Sequence, residues 1–455
     1  MNLNKHLLVT LAVSGVLTGC ALTPEYQRPD VVAPPAWTNS SVDVAATKVS
    51  ADWWTRYGSD ELDQLIARAL ATNHEIGAAR QRIEQARASV RVAKAQQLPL
   101  ANIGGTASRS RDRDTRVETH SEQGSLSVSY EADLWGGQAA NSRSARSRLI
   151  ATRADTDALA LVIQSEVATN YFSAVALRER IAIAEQNLKL AGELLRLVNV
   201  RNDNGATGAL EVAQQRTVLL GIQAQIPQLQ QQLSATLSAL AVLVGDAPQT
   251  FTISAQSLAA LSIPVIAADP PSSLMEQRPD VRAVEANLQA ANADVGAARS
   301  ALFPSLSLSA GATVAGITSG GTSTVATLAA SLAQVLFDGG ERRAQAASAR
   351  AEYGELAENY AQTVLTAYQE VHDSLMDVKT SQERVDLLTS LVEQSERAYQ
   401  LARIRYENGA DDLLTLLDGQ RTRLDAQDSL VQAQVGRYTS TTSLFKALGG
   451  GWSGS

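Results

Sequence analysis

The 455-residue chain has one cysteine, at position 20. That excludes a disulfide within the chain and any cysteine-cluster metal site. Four histidines and three methionines leave little for imidazole or thioether ligation. His74, His120 and His372 have no ligand spacing, so no metal site is expected. Aromatic residues make up 4% of the chain, too few for several aromatic-cored globules. The formal charge of −8 offers no net basic field to a nucleic acid. There is no Gly-rich phosphate loop, no GxSxG and no HExxH, so nothing points to an enzyme. No apolar run approaches the roughly 20 residues that a membrane-spanning helix needs.

What is present begins with a targeting segment. Lys5 and His6 precede a short apolar run, Leu7 to Leu17, that ends in Leu17-Thr18-Gly19-Cys20. This resembles a bacterial lipobox. Residues 1–19 would be a lipoprotein signal peptide, and Cys20 would carry an S-diacylglycerol and an N-acyl lipid as the only non-protein group. Ala21 rather than Asp follows, which by the usual sorting rule implies the outer membrane. Residues 20–58, with Pro24, Pro29, Pro34 and Pro35, are expected to form an extended tether.

The body repeats itself at an offset of about 204 residues. Ser144-Ala145-Arg146 matches Ser348-Ala349-Arg350, and Asn204-Gly205-Ala206 matches Asn408-Gly409-Ala410. Gln215-Arg216-Thr217 matches Gln420-Arg421-Thr422 after a one-residue gap. The boundaries are 59–245 for the first repeat, 246–273 for a Pro-rich connector, 274–448 for the second repeat and 449–455 for a tail. Each repeat is expected to run helix, non-helical segment (about 98–135 and 303–337), very long helix, Asn-Gly turn and return helix. Pro227 should kink or break the first return helix.

The long helices, at 1.5 Å per residue, would reach roughly 100 Å. Val364, Val371, Val378, Val385, Val392, Tyr399 and Tyr406 recur every seven residues in the second. Ala160, Val167, Ala174, Ile181, Leu188 and Leu195 do so in the first. That period implies supercoiled helix-on-helix packing. In the non-helical segments, Leu126, Val128, Tyr130, Ala132 and Leu134 alternate with Ser125, Ser127, Ser129, Glu131 and Asp133. Leu306, Leu308, Ala310, Ala312 and Val314 alternate with Ser305, Ser307, Ser309, Gly311 and Thr313. Period-two segments of about ten residues suit transmembrane β-barrel strands. Val325 to Phe337 supplies a fourth strand of ambiguous face. Arg109 to Gln123 and Gly316 to Thr324 would be polar loops. Four strands cannot close a barrel, and a bilayer forbids open edges, so several chains must contribute.

A duplicated unit of helix, β-hairpin, giant helix, turn and return helix resembles the TolC-type outer-membrane efflux proteins. Cys20-Ala-Leu-Thr-Pro-Glu-Tyr26 and Arg28-Pro29 look like the lipoprotein (NodT) branch that serves RND-type pumps. Trp53-Trp54 with Asp60-Glu61-Leu62 resembles the family's entry to its first helix. Asp133-Leu134-Trp135-Gly136-Gly137 and Leu336-Phe337-Asp338-Gly339-Gly340 resemble its strand-to-helix corners. Arg405-Tyr406-Glu407-Asn408-Gly409 through Leu416-Leu417-Asp418 resembles its periplasmic tip.

The resemblance implies a homotrimer, mainly α with a β-barrel part: a 12-strand outer-membrane β-barrel on a 12-helix periplasmic α-barrel. It implies a passive exit duct in a tripartite efflux system, working with a periplasmic adaptor and an inner-membrane RND-type pump. A polypeptide secretion duct of the same fold, or a lipidated coiled-coil scaffold without a pore, are the alternatives. The adaptor would dock at the tips around Asn204, Gly205, Asn408 and Gly409. The resting duct would be closed at the periplasmic end by Leu414 and Asp418, which share a helix face. Arg405 would pair with an acid on the neighbouring helix, Asp203.

Overall fold

The computed structural model describes residues 22–37, 49–114, 116, 118–266, 271–317 and 321–452. Cys20 and the signal segment lie outside the described residues. The chain divides into two compact units. Of the described residues, one unit comprises those within 22–31, 81–154 and 282–363, and the other those within 32–80, 155–281 and 364–452.

The first repeat contains α1 (Asp60–Thr72), α2 (His74–Ala95), strands β1 (Leu100–Arg111) and β2 (Glu118–Ala132), the long helix α3 (Gly137–Asp203) and the return helix α4 (Ala209–Leu243). The second contains α5 (Leu274–Gln277), α6 (Pro279–Ser300), β3 (Ser305–Ile317), β4 (Gly321–Ala333), α7 (Glu341–Glu407) and α8 (Leu413–Ala447). α3 and α7 are 67 residues each, and α4 and α8 are 35 each. Among the described residues no helix is long and apolar enough to cross a membrane.

The first helix of each repeat is broken, not continuous. Asn73 sits extended between α1 and α2. Its Oδ1 accepts from the backbone N–H groups of Glu75 and Ile76, capping α2, while its Nδ2 donates to Leu243 O at 2.9 Å. Arg278 occupies the equivalent break between α5 and α6. The residue before a proline is disfavoured in helix, and Pro279 opens α6. Arg278 NH1 donates to Ala447 O at 3.1 Å, the counterpart of Leu243 O.

α4 runs through Pro227 without a break, so of the expected kink or break the break does not occur. Proline removes one backbone hydrogen bond. Leu229 and Ile222, buried on either side of it, hold the helix against its neighbours.

The scarce aromatics are concentrated in the second unit. Trp53 and Tyr57, in a 3-10 turn at Trp53–Tyr57, are fully buried. The end of the expected tether is therefore a core anchor. Trp53 stacks on Phe445 with ring centroids 5.0 Å apart, and Phe172 lies 4.8 Å from Tyr57 and 4.9 Å from Tyr438. Tyr438 OH donates to the carbonyls of Leu258 and Leu261, pinning the connector to this core. In the first unit, residues 22–31 are strapped onto α6. Arg28 is bidentate to Glu285, and Asn292 Nδ2 donates to Pro24 O at 2.9 Å.

The seven-residue seam is buried at Val364, Val371, Val385, Tyr399 and Tyr406. In α3 it is buried at Val167 and Ala174, then passes to Leu177, Ala184, Ala191 and Val198. The buried line steps sideways by three residues and then keeps its period, as a two-position helix seam does.

Candidate functional site: the strand faces and the hairpin tips

The four strands form one antiparallel sheet in the order β1-β2-β3-β4. Register aligns Ile103 with Leu126, Leu126 with Ala312, Val128 with Ala310, Tyr130 with Leu308, Leu306 with Leu332, and Ala310 with Leu328. Side chains alternate across a sheet, so these residues share one apolar face. The other face carries Asn102, Thr106, Ser125, Ser127, Ser129, Ser305, Ser307, Ser309, Thr313, Thr327 and Ser331. Register thus settles the fourth strand: Leu328 and Leu332 are on the apolar face, Thr327 and Ser331 on the hydroxyl face. Val325, paired with Thr313, departs from this rule, as do Leu100 and Ile317 at strand ends. Among the described residues the apolar face is largely uncovered: Ile103 is 88% exposed and Leu328 87%.

The expected polar loops are mostly strand. β1 continues to Arg111 and β2 starts at Glu118, while β3 ends at Ile317 and β4 starts at Gly321. The hairpin is extended by Ser108 and Ser121 hydroxyls 2.8 Å apart and by Arg109 on Glu118 at 2.6 Å. Backbone pairing continues where the apolar alternation has ended.

At the strand-to-helix corners, acids cap the long helices. Asp133 accepts from the backbone N–H of Gln138 and Ala139. Asp338 accepts from the backbone N–H of Gly340 and Arg342. Trp135 Nε1 donates to Pro304 O at 2.7 Å, with its ring 4.9 Å from Phe303.

The hairpin tips are near-copies. Gly205 has φ 71° and Gly409 φ 72°, the left-handed region that glycine occupies without steric cost. Ala206 N donates to Arg201 O and Ala410 N to Arg405 O, both at 2.8 Å. Asn204 Nδ2 reaches Val200 O and Asn408 Nδ2 reaches Ile404 O, both at 2.7 Å. Each helix end is therefore closed by a Schellman-type turn with a side-chain amide on the last turn.

Arg405 does not pair with Asp203. Its Nε lies 3.1 Å from Asp411, within its own turn, and Asp203 is exposed. Six residues of tight turn bring Asp411 to Arg405 without crossing to another helix. The arginine that does cross is Arg201, whose NH1 donates to Tyr406 O at 2.9 Å and whose guanidinium lies 4.6 Å from the Tyr406 ring. Asp412 caps α8 through Thr415 N, and these hydrogen bonds hold its carboxyl below the usual range. Leu413 and Leu416 are buried, whereas Leu414 is 58% exposed and Asp418 is exposed. Leu414 and Asp418 thus lie on a face that the chain does not pack.

Behind the tip lies a polar seam that the sequence did not announce. Arg423, buried, donates to Asn187 and contacts Glu396 at 3.4 Å, and lies 4.3 Å from the Tyr399 ring. Arg180 pairs with Asp428 at 2.6 Å, and Asn187 Nδ2 donates to Gln427 at 3.1 Å. Arg423 recurs at the spacing of buried Gln420 and Leu416, a weak signal when the residue is charged. Among the described residues no group of His, Cys, Asp or Glu is arranged to hold a metal ion.

A family model described as outer membrane efflux protein matches residues 65–246 and again 271–450. The chain belongs to this family. The double match is the duplication itself. Among relatives, the pyoverdine export outer membrane protein OpmQ of Pseudomonas aeruginosa is 37% identical over 458 residues, covering 96% of this chain and 95% of that one. The cation efflux system protein CusC of Escherichia coli O6:H1 is 29% identical over 456 residues, covering 98% of both. Among solved structures, the outer-membrane channel OprN superposes with a TM-score of 0.86 at 29% identity, over 95% of this chain and 100% of that one. The protein is an outer-membrane efflux channel, mainly helical with a strand sheet, and its relatives are channels rather than enzymes.

Proposed function

We propose that three copies of this chain form a closed 12-strand barrel in the outer membrane, continued by a 12-helix periplasmic tunnel, and that the assembly is a passive exit duct. The observation that carries this is the sheet. It has one continuous apolar band, one hydroxyl face and free edges at β1 and β4. Such a sheet is stable in a bilayer only when its edges are paired and its apolar face meets lipid.

Cys20, bearing diacylglycerol and an N-acyl chain, is the lipid attachment site and adds a second hold on the membrane. The tips at Asn204-Gly205 and Asn408-Gly409 dock a periplasmic adaptor, which couples the duct to an inner-membrane RND-type pump. Leu414 and Asp418 narrow the periplasmic end as an apolar and an acidic ring. Their exposure in the single chain supports this, because a pair facing a tunnel must be left unpacked by its own chain. The relatives are named for pyoverdine export and for cation efflux. One architecture serving such different cargoes supports cargo choice by the pump, not by the duct.

The test is conductance of the purified full chain in planar bilayers. The wild type should run as a trimer with low resting conductance. Leu414→Gly with Asp418→Ala should raise that conductance several-fold. A double variant that remains trimeric but conducts like its parent removes these residues from the gate. A chain that never inserts or oligomerises removes the duct.

A further inference from the structure

The hydroxyl face of the sheet is nearly free of charge. Following the register from β1 to β4, the neutral side chains on that face are Leu, Asn, Thr, Ser, Gln, Ala, Val and Ile, with glycines. Among the described strand residues the one ionisable group on it is Glu131, opposite Ser307 near the helix-side end of β2. The charges of the outer hairpin, Arg109, Arg111, Glu118, His120 and Glu122, all fall on the opposite face, in line with Leu126 and Ile103.

Glu131 is not used by the fold. Its neighbours at the corner are already engaged: Asp133 and Asp338 cap helices, and Arg342 lies 3.8 Å from Asp338 while its NH1 donates to Ala301 O at 2.6 Å. Glu341 accepts from Gln345 at 3.0 Å. No hydrogen bond or ion pair engages Glu131 among the described residues, and its side chain is exposed on a cleft shared with Asp133, Asp338 and Arg342.

We infer that Glu131, repeated three times in the assembled barrel, is a fixed anionic ring that sets the cation preference of the barrel section, independently of the periplasmic tip. This rests on the trimeric duct proposed above. A 12-strand barrel with strands ~4.8 Å apart and tilted ~40° has a backbone radius of roughly 12 Å. A glutamate reaching about 5 Å inward then lies about 7 Å from the axis. The Debye length is ~10 Å at 0.1 M salt and ~3 Å at 1 M, so the ring's field reaches the axis at low salt and is screened at high salt. Elsewhere the barrel lumen is a neutral hydroxyl surface, which discriminates little between hydrated solutes of either charge.

The experiment uses the full chain carrying Leu414→Gly and Asp418→Ala, so that the tip contributes neither closure nor its acid. Reversal potentials are read across a KCl gradient centred on 0.1 M. Glu131→Gln should lower the K⁺/Cl⁻ permeability ratio about twofold, and Glu131→Lys should reverse the preference. Glu122→Gln, on the other face of the same strand, should leave the ratio at the parent value. Near 1 M KCl the differences should vanish. If trimeric Glu131→Gln and Glu131→Lys variants keep the parent's ratio at 0.1 M, or if Glu122→Gln shifts it equally, the inference is overturned. If the tip-opened parent never inserts or oligomerises, the duct reading fails instead; if it inserts as a trimer but stays closed, the gate assignment fails.

Discussion

The two repeats break their first helix at the same point and fill the break with different chemistry. Asn73 caps the next helix and donates one hydrogen bond to the end of α4. Arg278 donates to the end of α8 but also pairs with Asp280 at 2.6 Å and Glu370 at 2.7 Å. The backbone task, satisfying the last carbonyls of a return helix, is shared. The second repeat adds a buried cation that binds α6, α7 and α8 at one point. The hairpin tips show the same division. Their turns agree in φ and hydrogen bonds, while the second alone carries Asp411, Asp412 and the ion pair to Arg405. Duplication has kept the backbone and let the charge diverge.

The largest expected effect tests the hinge. Arg278→Ala removes a buried guanidinium that serves Ala447 O and two acids. Those acids are 41% and 43% exposed and stay solvated, so the loss is about 2–3 kcal/mol rather than that of a fully buried pair. Asn73→Ala loses a cap and one hydrogen bond, about 1–2 kcal/mol. Thermal unfolding of the two variants in detergent should rank them in that order. Equal losses would mean that the extra charges at Arg278 are idle.

The tips should behave oppositely, because their backbones match. Gly205→Val and Gly409→Val each force a β-branched residue into the left-handed region, costing about 1–2 kcal/mol apiece. The two variants should lose stability equally, as judged by chemical denaturation. A Gly409 variant much worse than its twin would show that the charges of the second tip depend on turn geometry.

A smaller effect separates the hinges by pH. Burial pushes the Asp280 carboxyl up, but the Arg278 guanidinium outweighs this and holds it below the usual carboxylate range. A carboxylate with a depressed folded pKa stabilises fully above its unfolded value, about 3.9, and that contribution is lost as pH falls through the lower folded value. The wild type should therefore be more stable than Asp280→Asn at pH 6, and the gap should narrow progressively as pH falls below about 3.9. The equivalent position in the first repeat is Glu75, whose backbone N–H donates to the uncharged Asn73. With no charge on that hinge residue, Asn73→Ala should show the same deficit at both ends of the pH range.

How far the sequence reached varies with how local the cause was. The period of two in Leu126 to Asp133 is a property of the strand alone, and it located both hairpins. It failed at Arg109 to Gln123 because strand pairing continues past the apolar band, held there by Arg109 on Glu118. The duplication was legible because Asn-Gly and Gln-Arg-Thr recur in register. The hinges were not, since Asn73 and Arg278 gain their partners, Leu243 O and Ala447 O, only through folding. A local signal was present in Pro279, which disfavours helix at Arg278. Trp53 and Tyr57 read as the end of a tether because their partners, Phe445, Phe172 and Thr442, come from distant chain. The charge partner of Arg405 was misplaced for the opposite reason: the nearer acid, Asp411, needs only the turn.

That pair supplies the smallest effect. Arg405 is 62% exposed at its side chain, so its contact with Asp411 is screened by solvent and is worth about 0–1 kcal/mol. Arg201 is different, since it crosses from α3 to α7 and lies over the Tyr406 ring. A cation on an aromatic face that also hydrogen-bonds a helix-end carbonyl should contribute about 1–2 kcal/mol. Arg405→Ala should therefore barely move the unfolding midpoint, while Arg201→Ala should lower it measurably. Raising salt from 0.05 to about 0.5 M should erase what little Arg405 gives and leave most of the Arg201 deficit, because ring contact is less sensitive to ionic strength than an exposed ion pair. If Arg405→Ala proves the more damaging of the two, the second tip is held by its own turn and not by the first repeat, and the division between shared backbone and diverged charge must be redrawn at the tips.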